Sequence, residues 1–183
     1  YYLKKEIKEN NRKPNDILII SPLVKNNIMC EEIKTHIIEL WKELKGDDVI
    51  DDMCCVLHKS ENGCTINLEE SKNATRIVSI HASKGDQRKV VFVINLTEKI
   101  LNFFDEKTGG LIFDSLLHVS ITRMVEKLYI KYDNTNDIIG KKILKFAEEN
   151  DLNINPHNDS NAPHISIRLN IEKSHKYNIY EKI

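Results

Sequence analysis

At 183 residues the chain has the size of one domain, long enough to bury a single well-covered core. Its 40% hydrophobic and 30% charged residues are ordinary for a soluble globular protein. A formal net charge of −1 gives no argument for a nucleic-acid partner from overall charge, so any basic surface must be local.

The chain opens on a polar, lysine-rich stretch, Tyr1 to Asn15, expected as a fraying helix inherited from an upstream segment. The first residue is not Met, so the chain is expected to be a piece of something longer. Ile17-Leu-Ile-Ile20, bounded by Pro14-Asn15 and Ser21-Pro22, is an unbroken apolar run suited to a strand covered on both faces, as in a parallel sheet. A helix follows: Met29, Ile33, Ile37, Leu40, Trp41 and Leu44 fall on one face, Asn26 or Asn27 caps the start, and Gly46 ends it. Met53 to His58 and Thr65 to Leu68 read as short strands around a Glu61-Asn-Gly63 turn.

Arg76 to His81 is expected as a second core strand and Lys89 to Leu96 as a third, with only Ala82 to Arg88 between them. A parallel crossover usually needs a dozen or more residues, so this link is either one tight turn or the pair is antiparallel. After a short helix through Phe104 and the Gly109-Gly110 break, Leu111 to Arg123 is expected as a buried helix and Lys127 to Tyr132 as a closing strand. An amphipathic helix from Asn136 to Glu149 completes a domain over residues 1–150. Residues 151–183 are read as a linker, Asn-rich with two prolines up to Pro163, plus one extra strand in which Ile165, Ile167, Leu169 and Ile171 alternate. Strands alternating with helices give an α/β fold.

The cysteines Cys30, Cys54, Cys55 and Cys64 occur without a signal peptide, and no apolar run reaches membrane-spanning length. An intracellular setting, cytoplasm or nucleus, with free thiols is expected, and no membrane partner. The spacing of Cys54, Cys55, His58 and Cys64 matches no standard zinc pairing, so no metal site is assigned. The wealth of Lys, Asn and Ile suits an AT-rich genome, a viral one included.

Two short pieces carry chemistry. The first is Arg76-Ile-Val-Ser-Ile-His-Ala-Ser-Lys-Gly-Asp-Gln87, an apolar strand running into a Ser83-Lys84-Gly85 turn. In an open α/β sheet ligands sit beyond the carboxyl ends of strands, and such a turn offers Ser83, Lys84 and backbone donors to phosphate oxygens. Gly85 allows close approach or a positive φ. The second is Leu117-His-Val-Ser-Ile-Thr-Arg-Met-Val-Glu-Lys-Leu-Tyr129, a buried helix ending in Thr122-Arg123 and followed by a strand. An arginine in that position needs a partner, and its planar guanidinium suits the spread charge of a γ-phosphate.

Together, in this order, the two pieces resemble the last two signature motifs of superfamily-one DNA helicases of the UvrD/Rep type. There the patterns read roughly T-[IL]-H-x-[AS]-K-G-x-E and [YH]-V-[AG]-x-T-R-x-x-x-x-L. Asp16 to Leu23 and its helix resemble the family's fourth motif, so the likeness spans Asp16 to Tyr132. It implies the C-terminal, second RecA-like domain, of the P-loop NTPase type: a mostly parallel sheet with helices on both faces.

The resemblance further implies a motor domain of an ATP-dependent helicase or translocase. Arg123 would be the arginine finger, with Lys84, Gly85, Gln87 and Thr122 on the nucleotide side. Ser79, His81 and Ser83 would face single-stranded or forked DNA. The family usually has Glu where Gln87 stands, so a hydrogen bond to the ribose is implied without a charge. A second phosphate-contacting arginine often follows the fourth-motif strand; Ser21-Pro22 occupies that place here, with Lys25 as a substitute cation. The accessory helical domain that classical members carry before the Ser-Lys-Gly turn would be reduced or absent, since only the stretch from Gly46 to Ala82 intervenes.

No G-x-x-x-x-G-K-[ST] loop occurs, nor an Asp-Glu pair ending an apolar strand. ATP and Mg2+ would therefore be held mainly by an N-terminal RecA-like domain of the same polypeptide, and the chain alone would be inactive. The alternative reading is a non-catalytic nucleic-acid-binding or interaction module that retains the fold.

Overall fold

The computed structural model describes residues 2–46, 48–59, 69–83, 85–96, 118–120, 122–132, 145, 148, 149, 153–157 and 166–170, with residues 131, 132, 153–157 and 166–170 described by their backbone. The most apolar run forms strand β1, Ile17–Ser21, in which all five side chains are buried. It pairs in parallel with β3, Thr75–Ser79, on one side and β4, Arg88–Leu96, on the other. Strands β2, Cys55–Leu57, and β5, Met124–Tyr132, add parallel neighbours outside these. β7, Ser166–Asn170, then runs antiparallel to β5, and β6, Asn153–His157, antiparallel to β7. The order is β2-β3-β1-β4-β5-β7-β6, a seven-stranded sheet with five parallel strands, and the fold is α/β.

Because strand side chains alternate, β1 feeds two layers. Ile17 and Ile19 join Ile77 and Ile94 beneath helix α1, Tyr2–Lys8, and helix α2, Ile28–Lys45, whose Ile7, Ile37 and Trp41 close that core. Leu18, Ile20, Val78, Val91, Val93 and Leu128 alternate with these and are equally buried. Each such side chain contributes about 1.5–3 kcal/mol relative to exposure, which explains why the central strand is apolar throughout.

α2 begins where expected. The Asn27 carboxamide oxygen accepts the Met29 N–H at 3.1 Å, and Gly46 ends the helix at φ 98°. Met29 and Leu44, expected on its buried face, are exposed at the two ends.

Several expectations are corrected. The helix at the start, α1, covers Tyr2–Lys8 and not the whole stretch to Asn15, and its Glu6 and Ile7 are buried, Glu6 accepting from Tyr129 of the sheet. The Met53–His58 strand starts instead as a helical turn, α3, Asp51–Cys54, and only Cys55–Leu57 pairs with β3. Residues 153–157, read as linker, form β6, and the added strand joins the main sheet through β5. β3 and β4 run parallel across their short link but do not pair with each other, because β1 lies between them.

The strand at Thr65–Leu68, the helix at 97–104, the first part of the helix ending at Arg123 and most of that at 136–149 lie outside the described residues. Residues 118–120, 122 and 123 are helical, as are 145, 148 and 149. No described helix is long and apolar enough to cross a membrane.

Candidate functional site

The structure divides the sequence-predicted residues between the two ends of the parallel sheet. Ser79 closes β3 level with Ser21, the last residue of β1, so it stands at the carboxyl end. Arg88 opens β4 opposite Met124, the first residue of β5, at the amino end. From Arg88 to the level of Ser79 is about 20 Å, at roughly 3.3 Å per residue.

At the carboxyl end β3 runs into a hydrogen-bonded turn. The Ser83 N–H donates to the Ser79 carbonyl at 3.1 Å, and the Ser83 hydroxyl donates to the Ile80 carbonyl at 2.7 Å. Ser83 is fully buried, so its hydroxyl holds the turn together and does not face solvent. Ser79 is half-buried, its hydroxyl oxygen accepting the Ala82 N–H at 3.4 Å, while His81 is exposed. Ser21 is buried and donates to the Leu23 carbonyl, and Lys25 is exposed beyond it. Lys84 lies outside the described residues; Gly85 is exposed with φ +85°, a conformation that favours glycine.

At the amino end the chain re-enters the sheet through Asp86, Gln87 and Arg88. The Gln87 side-chain amide donates to the Thr122 carbonyl at 3.4 Å, which brings the end of the first motif against the end of the second. The Thr122 hydroxyl donates back to the Val119 carbonyl at 2.8 Å, so the helix end is held locally. Arg123 follows at once, partly exposed. Its Nε is buried and has no hydrogen-bond partner among the described residues. A buried N–H left without an acceptor costs about 1–3 kcal/mol.

Charged pairs surround that edge. Arg12 donates to Glu126 at 2.5 Å and to Glu6 at 3.2 Å. Glu6, fully buried, also accepts from Lys127 at 2.9 Å and from Tyr129 at 2.5 Å. Burial alone would raise the Glu6 carboxyl; the hydrogen bonds from Tyr129, Lys127 and Arg12 outweigh it and hold the group below the ordinary glutamate range. Tyr129 in turn stacks on Phe92, with ring centroids 4.7 Å apart. A cleft lined by Arg12, Lys13, Asn15, Trp41, Lys45 and Asn73 includes neither Gln87 nor Arg123.

Sequence reasoning did not single out Arg76, Asp86 and Arg88, which form a buried cluster beside the turn. A signal was present: Arg76 and Arg88 stand next to Ile- and Val-rich runs in a chain with only five arginines. His58 joins this cluster through Ser71, its Nε2 lying 2.7 Å from the hydroxyl. Burial, with the Arg76 charge next, keeps His58 below the ordinary histidine range. Among the described residues no group of three His, Cys, Asp or Glu converges to hold a metal. Compared with known proteins, the chain matches no family model and no curated protein.

Proposed function

We propose that the chain is the second RecA-like domain of an ATP-dependent DNA helicase or translocase. The observation that carries this reading is the Arg123 guanidinium, whose buried Nε meets no acceptor among the described residues, one residue from the contact between Gln87 and Thr122. An arginine at the amino end of β5 with an unmet donor fits a phosphate on a neighbouring domain, where it would stabilise charge spread over the transferred group. Gln87, exposed beside it, suits a ribose hydroxyl. Lys84 and Gly85 belong to the same strap in sequence. ATP with Mg2+ supplies the phosphoryl group, and the phosphate loop and metal ligands are assigned to a preceding RecA-like domain.

The opposite end offers exposed His81 and half-buried Ser79 to a DNA backbone. Ser83 is better read as the residue that shapes this turn than as a phosphate ligand, because its hydroxyl is committed to Ile80. Nucleic-acid contacts of this kind are sequence-tolerant and weaken with salt.

The test is hydrolysis by the full reading frame that encodes the chain. We expect ATP turnover stimulated by single-stranded DNA, none by the isolated chain, and a phosphate loop with an Asp-Glu motif upstream. A full-length product that binds no nucleotide and hydrolyses none, with or without DNA, overturns the motor reading in favour of a binding module.

A further inference from the structure

A cleft opens at the amino end of the sheet, on the side of α1 and α2, and neither Gln87 nor Arg123 lines it. Two changes of chain direction border it. The chain leaves α1 at Lys8 and turns at Asn11, whose φ of 51° lies in the left-handed region that asparagine tolerates, before entering β1 through Pro14–Asp16. α2 ends at Lys45, where Gly46 at φ 98° diverts the chain toward α3. The cleft between them measures about 870 Å³, within the range of small-molecule sites, about 300–1,000 Å³.

Its lining divides by chemistry. Ile7 and Trp41, both buried, and Leu44 and Met53, both exposed, supply apolar surface. Lys8, Arg12, Lys13 and Lys45 supply four cations, and no described Asp or Glu shares the lining. Lys8 is committed to Glu43 at 2.6 Å, and Arg12 to Glu6 and Glu126. Lys13 and Lys45, both exposed, enter no ion pair among the described residues. Lys45 Nζ stands 5.2 Å from the centre of the Trp41 ring, which brings positive charge and aromatic surface together. Trp41 Nε1 is buried and meets no acceptor among the described residues.

A neutral apolar ligand would leave the two lysines unused, and a bare anion would leave the apolar wall wet. We propose that the cleft binds a small organic anion. Its carboxylate or phosphate head is held by Lys13 and Lys45, and its acyl or aryl body lies against Trp41, Leu44 and Met53. The site does not depend on the chain being part of a motor.

The experiment titrates the 183-residue chain with anilinonaphthalene sulfonate, an aryl anion, and follows energy transfer from Trp41, the only tryptophan. We expect one saturable site whose occupation quenches Trp41. Replacing both lysines, Lys13→Gln with Lys45→Gln, should weaken the probe about fivefold or more, the sum of two exposed ion pairs. Uncharged phenyl naphthylamine should bind both proteins alike, and added salt should weaken the sulfonate on wild type. Lys59→Gln, beyond the carboxyl end of β2, should bind the sulfonate as wild type does. Dodecanoate and naphthyl phosphate, offered as competitors, separate an acyl carboxylate from an aryl phosphate. Equal affinity in wild type and the double variant overturns the proposal. So does the lack of saturable transfer from Trp41, or displacement by neither competitor. Where the double variant's urea midpoint departs from that of wild type, salt decides instead: wild-type affinity unmoved by salt overturns the proposal.

Discussion

Replacing Glu6 by Gln tests whether the amino-terminal helix is an integral part of the domain. Glu6 is fully buried and accepts from three donors, Tyr129 at 2.5 Å, Lys127 at 2.9 Å and Arg12 at 3.2 Å. The amide keeps one acceptor but turns an N–H toward two cations. Removing one partner from a buried charged cluster costs about 3–5 kcal/mol. Because Arg12 retains Glu126, we expect the lower end, about 3 kcal/mol. For a chain of this length that lowers Tm by about 6–12 °C.

Trp41, the only tryptophan and buried in the same core, reports unfolding in a urea titration. The sign with pH follows from the direction of the shift. The folded carboxyl lies below its ordinary range, so its stabilisation is complete above that range and is lost as pH falls through the folded value. The gap between wild type and Glu6→Gln should therefore close on acidification. A loss at neutral pH under about 1 kcal/mol, the range of exposed ion pairs, would refute the reasoning. A gap independent of pH would refute it too.

Gly85→Ala should destabilise the chain by about 1–2 kcal/mol, because φ is +85° while a Cβ there would meet nothing within 4 Å; an unchanged urea midpoint contradicts this. Asn27→Ala should cost about 1 kcal/mol through loss of the bond to the Met29 N–H, and an unchanged urea midpoint would show that the cap contributes nothing. Burial pushes the Cys55 thiol up to about 12, so it should resist alkylation at mildly alkaline pH until the chain is unfolded. Rapid modification of Cys55 in native protein, located by mass spectrometry, would contradict its place in the core.

Much of the fold was legible in the sequence where local pattern and burial agree. Ile17-Leu-Ile-Ile20 has no polar face and became the strand covered on both sides; Asn27 and Gly46 carry cap chemistry that needs no tertiary context. Strand order was not legible, because nothing local says that β1 inserts between β3 and β4. Asp51–Cys54 turned helical although Met53-Cys-Cys-Val reads as extended: the strand begins only at Cys55, where pairing with Thr75 starts. β6 contains Asn153, Asn155 and Pro156, residues of turns, and is an edge strand, where Pro is tolerated.

The site was legible in its parts. Gly85 adopts the positive φ that its place in the turn suggested, while the contact of Gln87 with the Thr122 carbonyl is one the linear pattern does not give. What the linear pattern concealed is that Ser79–Ser83 and Arg123 occupy opposite ends of one sheet, and that Ser83 points inward. Glu6 was read only as part of a polar, lysine-rich stretch because its partners, Lys127 and Tyr129, lie more than a hundred residues away.

The most direct test of the central claim is Arg123→Ala in the full reading frame. DNA-stimulated ATP hydrolysis should fall by about a thousandfold or more, the range for an arginine finger, while affinity for single-stranded DNA stays near wild type. Arg123→Lys should not restore it, since an ammonium lacks the planar fork. Turnover unchanged in Arg123→Ala would contradict the assignment outright.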